Sequence, residues 1–242
     1  MGVIDSPKDI MNLIYDVGMF NGDDTAYYLA KGLSVVGVEA NPNLIPKLKD
    51  RFQTEIGQGR LFVENVAITD LEGEVEMFIA EGDKPQSSLS RRVLDLHHVP
   101  ITSIKVHGLP LSEIVSRHGP AVFMKIDIEH NDALALRDLA RNGMKPPEIS
   151  VEAHSVEVLV QLYNMGYTRY RFVNGKSVST RFANIKIRRI DGTMTMHRFT
   201  MHSSGPFGED LEEPWLNLEE ARTLWSSRNT LLGPGWYDIH AR

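Results

Sequence analysis

The sequence predicts an α/β protein in which a mostly parallel central sheet carries helices on both faces. Three observations lead to this fold class. Residues 13–42 read as an apolar strand, a glycine-containing turn, an amphipathic helix and a second apolar strand. Apolar runs then alternate with helical patterns as far as Val173, which is typical of a doubly wound sheet. Two later apolar runs end in acidic residues and histidine, so polar groups are expected to meet at one edge of the sheet.

The predicted strands are short apolar runs bounded by turn residues. They cover residues 13–15, 34–38, 61–68, 75–80, 104–106, 122–128, 149–151 and 168–173. The helices predicted between them cover residues 24–31, 43–52, 111–118, 132–141 and 155–165. Because residues 122–128 are apolar almost throughout, this strand is expected to be buried on both faces of the sheet. The polar residues 82–92 predict a loop or lid.

Length and composition limit the class of protein. The 242 residues suffice for one large domain or two small ones, and we predict a main domain over 1–191, with its core at 13–173, and an extension over 192–242. A net charge of -6 argues against a general nucleic-acid binder. The absence of cysteine excludes disulfides and thiolate chemistry. No apolar run approaches the ~18 residues of a membrane span and no signal-peptide pattern is visible, so a cytoplasmic protein is expected.

The extension differs in composition from the main domain. It is rich in glycine and proline and contains all three tryptophans, Trp215, Trp225 and Trp236. One helix is predicted over 218–226, with Asn217 as its N-cap and acidic residues in its first turn, and the rest is expected to be irregular. Two roles stay open: a segment packed on the edge of the sheet, or a cap over substrate, an arm of a homo-oligomer or a partner surface.

The turn after the first strand predicts a nucleotide site. Asp16 ends that strand, and Gly18 and Gly22 let the backbone pass close to a ligand at the helix N-terminus. Glu39 ends the second strand, where a carboxylate can accept hydrogen bonds from both ribose hydroxyls. The spacing Asp-x-Gly-x-x-x-Gly differs from the dinucleotide pattern Gly-x-Gly-x-x-Gly. The simpler alternatives are a plain strand–turn–helix corner and a solvated acid, and the two acids that open the helix would cap it.

Residues at the end of the third strand are candidates for contact with a nucleobase. Either Asn65 or Glu64 is placed to bond the edge of an adenine, and Ala67 to pack on its face. A plain sheet explains the same residues nearly as well.

The richest polar pattern follows two neighbouring apolar runs. One run ends in Asp127, Glu129 and a histidine, and the next ends in Glu152 and His154. Because ligands of open α/β sheets bind at the carboxyl ends of the strands, these side chains are expected to lie close together in a site. His154 is suited to accept a proton, to ligate a metal or to a purely structural role, and the sequence leaves the three open. A divalent cation would use Asp127, Glu152 and His154.

Taken together, these segments resemble the FkbM-type branch of class I S-adenosylmethionine (SAM) methyltransferases. The resemblance covers about residues 13–173 and rests on the segments Y-D-V-G-M-F-N-G, V-V-G-V-E-A-N-P, S-S-L, M-K-I-D-I-E-H-N-D and I-S-V-E-A-H. Two departures from the family pattern stand out. His130 and Asn131 replace Gly-Ala, and Asn21 is displaced by one position. The resemblance implies a Rossmann-like class I methyltransferase fold.

The same resemblance implies SAM as the cofactor and a small-molecule acceptor as the partner. The residues it implies for cofactor binding are Asp16, Gly18, Asn21, Gly22, Glu39, Ala40, Asn65, Ala67, Ser88 and Asp127. It implies methyl transfer to oxygen, often a hydroxyl of a sugar or natural product. His154 or Asp127 would then remove the hydroxyl proton, because an alcohol is a poor nucleophile at neutral pH. Glu129 and Glu152 would orient the acceptor or hold a divalent cation.

Two other classes of function stay open at this level. A nicotinamide-dependent oxidoreductase would account for the first strand, its turn and Glu39, but not for the motif that begins with Asp16. A non-catalytic binding module of the same fold would be indicated by a tryptophan-rich tail that fills the acceptor cleft. The fold alone does not decide between these classes.

Overall fold

The structure is a computed structural model that describes residues 12–80, 87–94 and 100–242. In chain order, its strands are β1 (Leu13–Val17), β2 (Ser34–Val38), β3 (Leu61–Glu64), β4 (Ala67–Ile68), β5 (Gly73–Ala80), β6 (Ser87–Ser88), β7 (Ile101–Leu109), β8 (Phe123–Ile126), β9 (Glu148–Glu152), β10 (Tyr170–Asn174), β11 (Ile185–Arg188), β12 (Met194–His197) and β13 (Tyr237–Ala241). Its helices are α1 (Asp23–Ala30), α2 (Ile45–Arg51), α3 (Gln53–Gly57), α4 (Arg91–Leu94), α5 (Leu111–His118), α6 (Asp132–Arg141), α7 (Val156–Asn164), α8 (Gly175–Arg181) and α9 (Leu218–Leu231). Residues 82–86 of the predicted loop lie outside the described ranges.

Seven strands form the central sheet, in the order β10-β13-β9-β8-β1-β2-β3. β1 pairs in parallel with β2 and β8, and the same direction continues to β3 and β9. β13 is antiparallel to both of its neighbours. The sheet is therefore mostly parallel, as predicted, and one of its edges collects the carboxyl ends of β1, β2, β8 and β9. All residues of β8 are buried, as its apolar run predicts.

Helices cover both faces of this sheet, because successive side chains of a strand point to opposite sides. Ile14 packs in the core cluster formed with α1, α2 and α8, whereas Tyr15 and Val17 pack in the cluster formed with α5, α6, α7 and α9. The predicted fold class is confirmed, and α5 and α6 have the predicted bounds. No helix in the described ranges has both the length and the apolar character needed to cross a membrane.

A second sheet stands beside the central one, with the strand order β4-β7-β5-β6. The strands predicted at 75–80 and 104–106 belong to it, where β5 and β7 pair antiparallel from Gly73 opposite Gly108 to Ala80 opposite Ile101. The single strand predicted at 61–68 is wrong, because the chain leaves β3 after Glu64 and pairs with β7 from Ala67 onward. This sheet provides a separate wall next to the carboxyl ends of β2 and β8.

The prediction that the extension is irregular outside its helix is wrong for two strands, β12 and β13. β13 lies inside the central sheet rather than on its edge, and all of its residues are buried. Asp238 and His240 interrupt its apolar residues, so no apolar run marks it in the sequence. The predicted boundary at residue 191 falls between the paired strands β11 and β12. The helix prediction is confirmed: Asn217 caps α9 in a capping box, and the helix continues to Leu231.

Truncation of Ile239 tests whether β13 is an interior strand of the sheet. Its side chain is fully buried, so Ile239→Ala should lower the free energy of unfolding by about 2–5 kcal/mol through lost burial and the cavity left behind. Urea denaturation followed by circular dichroism measures this change. Leu71→Ala is the control, since that side chain is 79% exposed, and it should change the value by less than about 0.5 kcal/mol. Equal effects of the two substitutions would contradict an interior β13.

Candidate functional site

A cavity of about 580 Å³ lies at the carboxyl ends of β1, β2, β8 and β9. This volume is in the range of small-molecule sites. Its walls come from the turn after β1, the end of β2, the second sheet, the loop after β8 and the end of β9. The lining residues are Gly18, Met19, Phe20, Asp23, Asp24, Val38, Glu39, Ala40, Val66, Ala67, Ile68, Met77, Ser87, Ser88, Leu89, Lys125, Asp127, Ile128, Glu129, His130, Asn131, Glu152, His154, Met201, His202, Ser203, Ser204 and Trp236.

A buried lysine organises the base of the cavity. The Nζ atom of Lys125 donates a hydrogen bond to the carbonyl oxygen of Gly18 at 3.1 Å. It also lies 3.4 Å from a carboxylate oxygen of Asp127 and 3.5 Å from one each of Asp16 and Asp24. Burial opposes the charge of Lys125, but the three carboxylates outweigh it and hold its pKa well above the usual value. The ammonium group therefore joins β8, β1, α1 and the turn between them.

Asp16 lies behind the turn and outside the lining of the cavity. It is fully buried and accepts a hydrogen bond of 2.6 Å from the hydroxyl of Thr25 on α1. Burial raises the pKa of Asp16, and Lys125 acts in the opposite direction. Asp16 thus stabilises the turn indirectly, through its contacts with Thr25 of α1 and with Lys125.

The structure gives a steric reason why the first residue of the turn pair, Gly18, is glycine. Gly18 has a φ of 85°, and a Cβ atom there would lie 1.8 Å from the carbonyl oxygen of Asp127. Gly22 has a φ of 82° and makes room for the ring of Phe52, away from the cavity. The side chain of Asn21 is hydrogen-bonded to Asp23 and does not line the cavity. Of these three predicted residues, only Gly18 therefore faces the candidate ligand.

Glu39 lies where the sequence places it, at the end of β2 and in the wall of the cavity. Its carboxylate oxygens accept hydrogen bonds from the backbone amides of Phe20, at 2.8 Å, and Asn41, at 2.7 Å. Burial raises the pKa of Glu39 to about 7, although these amides and Lys125 favour the charged form. A buried carboxylate in this position has further lone pairs available for hydroxyl donors.

The wall next to Glu39 is apolar on its second-sheet side. Ala67 and Met77 line it, and Ala40 follows Glu39 directly. Asn65 does not line the cavity: its side-chain amide donates to the backbone oxygen of Glu39 at 2.8 Å and of Ala40 at 3.3 Å. Asn65 therefore fixes the end of β2.

Acidic and imidazole side chains gather at the opposite end of the cavity. One donor atom each from Glu129, Glu152 and His154 lie within 4.8 Å of one another. Asp127 is not part of this group, because its carboxylate is beside Lys125. The structure therefore replaces Asp127 by Glu129 in the set of candidate metal ligands.

The imidazole of His154 is held by its neighbours. The ring of His130 stacks on it with the centroids 3.7 Å apart. Burial and, secondarily, His130 lower the pKa of His154 to about 4. Burial raises the pKa of Glu152, and Asp127 adds to this effect. The loop carries Glu129 and His130 at φ values of 53° and 76°, a region that costs free energy for residues other than glycine.

Strand β6 contacts this end of the cavity. Ser88 lines the wall, and its hydroxyl lies 3.2 Å from the backbone oxygen of Glu129, to which it donates. The predicted serine thus reaches the cavity and steadies the strained loop after β8.

Residues of the extension also reach the cavity, and of these the sequence analysis named Trp236 but not residues 201–204. Residues 201–204 and Trp236 line it. The backbone amide of Ser204 donates to Asp24 at 3.0 Å, and the hydroxyl of Thr200 donates to Asp23 at 2.6 Å. The two acids that open α1 therefore anchor the extension instead of capping the helix, whose N-cap is a glycine. Only the fold brings these distant segments together, and no local sequence signal indicated it.

The sheet order, the cavity at its carboxyl edge and the buried acid after β2 define an α/β protein with a small-molecule site at the carboxyl ends of its parallel strands. Residues 16–173 match the Methyltransferase FkbM domain. The chain belongs to this family, and its class of reaction is SAM-dependent methyl transfer. The resemblance drawn from the sequence motifs is thereby confirmed.

Several solved structures are similar to the chain. A precorrin-6y C5,15-methyltransferase from Geobacter metallireducens has 9% identity over 97% of this chain and 84% of that chain, with a TM-score of 0.43. A SAM-dependent O-methyltransferase from Thermotoga maritima has 8% identity over 100% and 67%, with a TM-score of 0.41. An O-methyltransferase from Bacillus cereus, in complex with SAH, has 10% identity over 97% and 75%, with a TM-score of 0.38. None of the curated proteins matches the chain significantly.

Substitution of Gly18 tests the close approach of the turn to the loop after β8. Gly18→Ala should lower the free energy of unfolding by about 2–4 kcal/mol, because it combines a positive φ with a clash against backbone. Gly59→Ala is a matched control, since Gly59 has a φ of 69° and nothing within 4 Å of the added Cβ. It should cost about 1–2 kcal/mol. Urea denaturation of both variants measures the difference, and equal losses would contradict the steric explanation.

Proposed function

We propose that the protein transfers the methyl group of SAM to a hydroxyl oxygen of a small molecule, with sugars and natural products as the substrate class. The observation that carries this proposal is the division of the cavity into two ends. One end has a buried carboxylate beside an apolar wall, which suits a nucleoside. The other has carboxylates and an imidazole, which suit the binding and deprotonation of a hydroxyl group.

The charges of the cavity fit SAM. Among the described residues of its wall are six carboxyl groups, from Asp23, Asp24, Glu39, Asp127, Glu129 and Glu152, and one ammonium, from Lys125. SAM carries a positive sulfonium and a positive ammonium group, so the ionised carboxylates of this wall favour its binding. When bound, SAM supplies an electrophilic methyl group and is released as SAH.

The nucleoside end has the residues that a ribose and a base require. Glu39 is placed to accept hydrogen bonds from the two ribose hydroxyls, and Asn65 holds the strand end that carries it. Ala67 and Met77 offer an apolar surface for the base. Gly18 permits the close turn over this end. These residues bind and orient the cofactor.

The acceptor end has two groups that could take the hydroxyl proton. Asp127 has 31% of its side chain exposed, and His154 has 24%. Both lie in the wall of the cavity at neighbouring strand ends. Positioning of the hydroxyl and removal of its proton are the steps that these residues would perform.

The extension supports an enzyme over a non-catalytic module. Its residues Met201, His202 and Trp236 line the cavity without filling it. They instead form part of the wall, which would restrict water around the reacting groups. The membership of the FkbM family argues against a nicotinamide-dependent oxidoreductase.

Calorimetric titration with SAH tests the nucleoside end. Glu39→Gln should weaken binding by about 1–3 kcal/mol, because the ribose hydroxyls lose a charged acceptor. Wild-type affinity should rise between about pH 6 and about pH 8. The reason is that Glu39 must lose its proton to accept hydrogen bonds from both hydroxyls, and burial raises its pKa to about 7. The charged and polar groups around this carboxyl are the amides of Phe20 and Asn41, the ammonium of Lys125 and the carboxyl group of Asp16.

Two controls accompany this titration. The Glu39→Gln variant should show a flatter pH dependence, which separates Glu39 from other titrating groups. Glu64→Gln, at the acid that ends the adjacent strand and bonds His118 outside the cavity, should bind SAH as the wild type does. Absence of SAH and SAM binding to the wild type would contradict the proposed function.

Methyl transfer to a panel of hydroxylated acceptors tests the other end. With an acceptor in hand, Asp127→Asn should lower kcat by about 100-fold or more while SAH affinity changes little, because the proton acceptor beside the hydroxyl is lost. Radiolabelled methyl incorporation measures the rate. Asp70→Asn, at an exposed acid paired with Arg141, should leave kcat unchanged. Transfer to amines but to no hydroxyl would contradict O-methylation and leave SAM dependence intact.

A further inference from the structure

Three side chains lie close together at the acceptor end of the cavity: the carboxyl groups of Glu129 and Glu152 and the imidazole of His154. One potential ligand atom of each residue lies within 4.8 Å of the other two. Two carboxylates and one imidazole are a ligand set that divalent transition metals accept.

The burial of Glu152 is a second observation, independent of the distances, that supports a cation site here. The residue is only 8% exposed, and its Oε2 atom is buried without a hydrogen-bond partner among the described residues. Oε2 lies 2.7 Å from Nε2 of His154, but the two atoms do not have the geometry of a hydrogen bond. A buried carboxyl oxygen with no donor is costly, so Oε2 of Glu152 is available to a positively charged ligand.

Another glutamate–histidine pair shows what a satisfied contact looks like in this protein. Glu64 and His118 also approach to 2.7 Å, and their atoms do form a hydrogen bond. The two glutamate–histidine pairs have the same distance between their atoms, so they differ in hydrogen-bond geometry. Neither Oε2 of Glu152 nor Nε2 of His154 has a hydrogen-bond partner among the described residues, so both atoms are available to one cation.

Among the described residues that line the cavity, Lys125 is the only lysine or arginine, and it does not pair with this cluster. Its ammonium contacts Asp16, Asp24 and Asp127 instead. The carboxylates of Glu129 and Glu152 are outside this group of contacts.

We infer that Glu129, Glu152 and His154 bind a divalent transition-metal cation, with Mn²⁺ and Zn²⁺ as the matching chemistry. The imidazole ligand disfavours Mg²⁺ and Ca²⁺, which prefer oxygen ligands throughout. His130 stacks on His154 and fixes the plane of the ligating ring. Three protein ligands leave coordination positions open toward the cavity.

One consequence rests on the proposed function. An acceptor hydroxyl bound at an open position of the cation would lose its proton more readily. His154 would then act as a ligand, and Asp127, paired with Lys125, would be the remaining proton acceptor of the two candidates.

Titration of the chelator-treated, full-length protein with Mn²⁺, followed by electron paramagnetic resonance, tests the site without any methyl acceptor. The wild type should bind one Mn²⁺ with a Kd below about 100 μM. Zn²⁺ should displace it, whereas equal Mg²⁺ should not. Glu152→Gln should weaken binding by more than about 10-fold, the loss that removal of even an outer partner of a metal site causes. Glu64→Gln is the matched control and should bind Mn²⁺ as the wild type does.

Circular dichroism of each variant confirms that it is folded, and His154→Gln provides a second variant that should also lose Mn²⁺. Absence of a site tighter than about 100 μM in the wild type would overturn the inference. Retention of Mn²⁺ by both folded variants, or displacement by Mg²⁺ as readily as by Zn²⁺, would overturn it as well. SAH titration of the metal-free protein separates the two proposals. A protein that binds SAH but not Mn²⁺ would contradict the cation site and support the cofactor site.

Discussion

The buried ammonium of Lys125 is the interaction on which the rest of the site depends. It lies between carboxylates from three parts of the chain and also holds the backbone oxygen of Gly18. A buried lysine without these partners would be costly, and the carboxylates without the lysine would be costly as well. The group therefore fixes the distance between β1, β8 and α1. The turn that opens the cavity and the strand end that carries Asp127 are positioned by one charge.

The extension is tied to the same group. Asp24 contacts Lys125 and accepts the amide of Ser204, so the segment that lines the far wall shares a carboxylate with the base of the cavity. β13 begins directly after Trp236, which lines the cavity, and it brings the buried polar residues Asp238 and His240 into the central sheet. The extension is thus a structural part of the site, since residues 201–204 and Trp236 form part of its wall.

The two ends of the cavity differ in how their charges are balanced. Glu39 is held by two backbone amides, so its carboxylate is already oriented for a neutral donor such as a hydroxyl. Glu152 has a buried oxygen without a donor, next to an imidazole that does not bond it. The first arrangement suits hydrogen-bonded recognition, and the second suits a cation. This difference follows from local geometry, since both ends use the same types of side chain.

The sequence by itself determined the strands whose apolar runs are continuous, the helices α5 and α6, and the acids at the ends of β2, β8 and β9. These features follow from local periodicity and from the rule that parallel strands end at one edge. Only the tertiary structure decided that β13 enters the sheet, because its polar residues hide it and its partners are distant in sequence. It also decided that Glu129, and not Asp127, joins Glu152 and His154. The physical reason is that the direction of a side chain depends on the competing charge of Lys125, which no local pattern reveals.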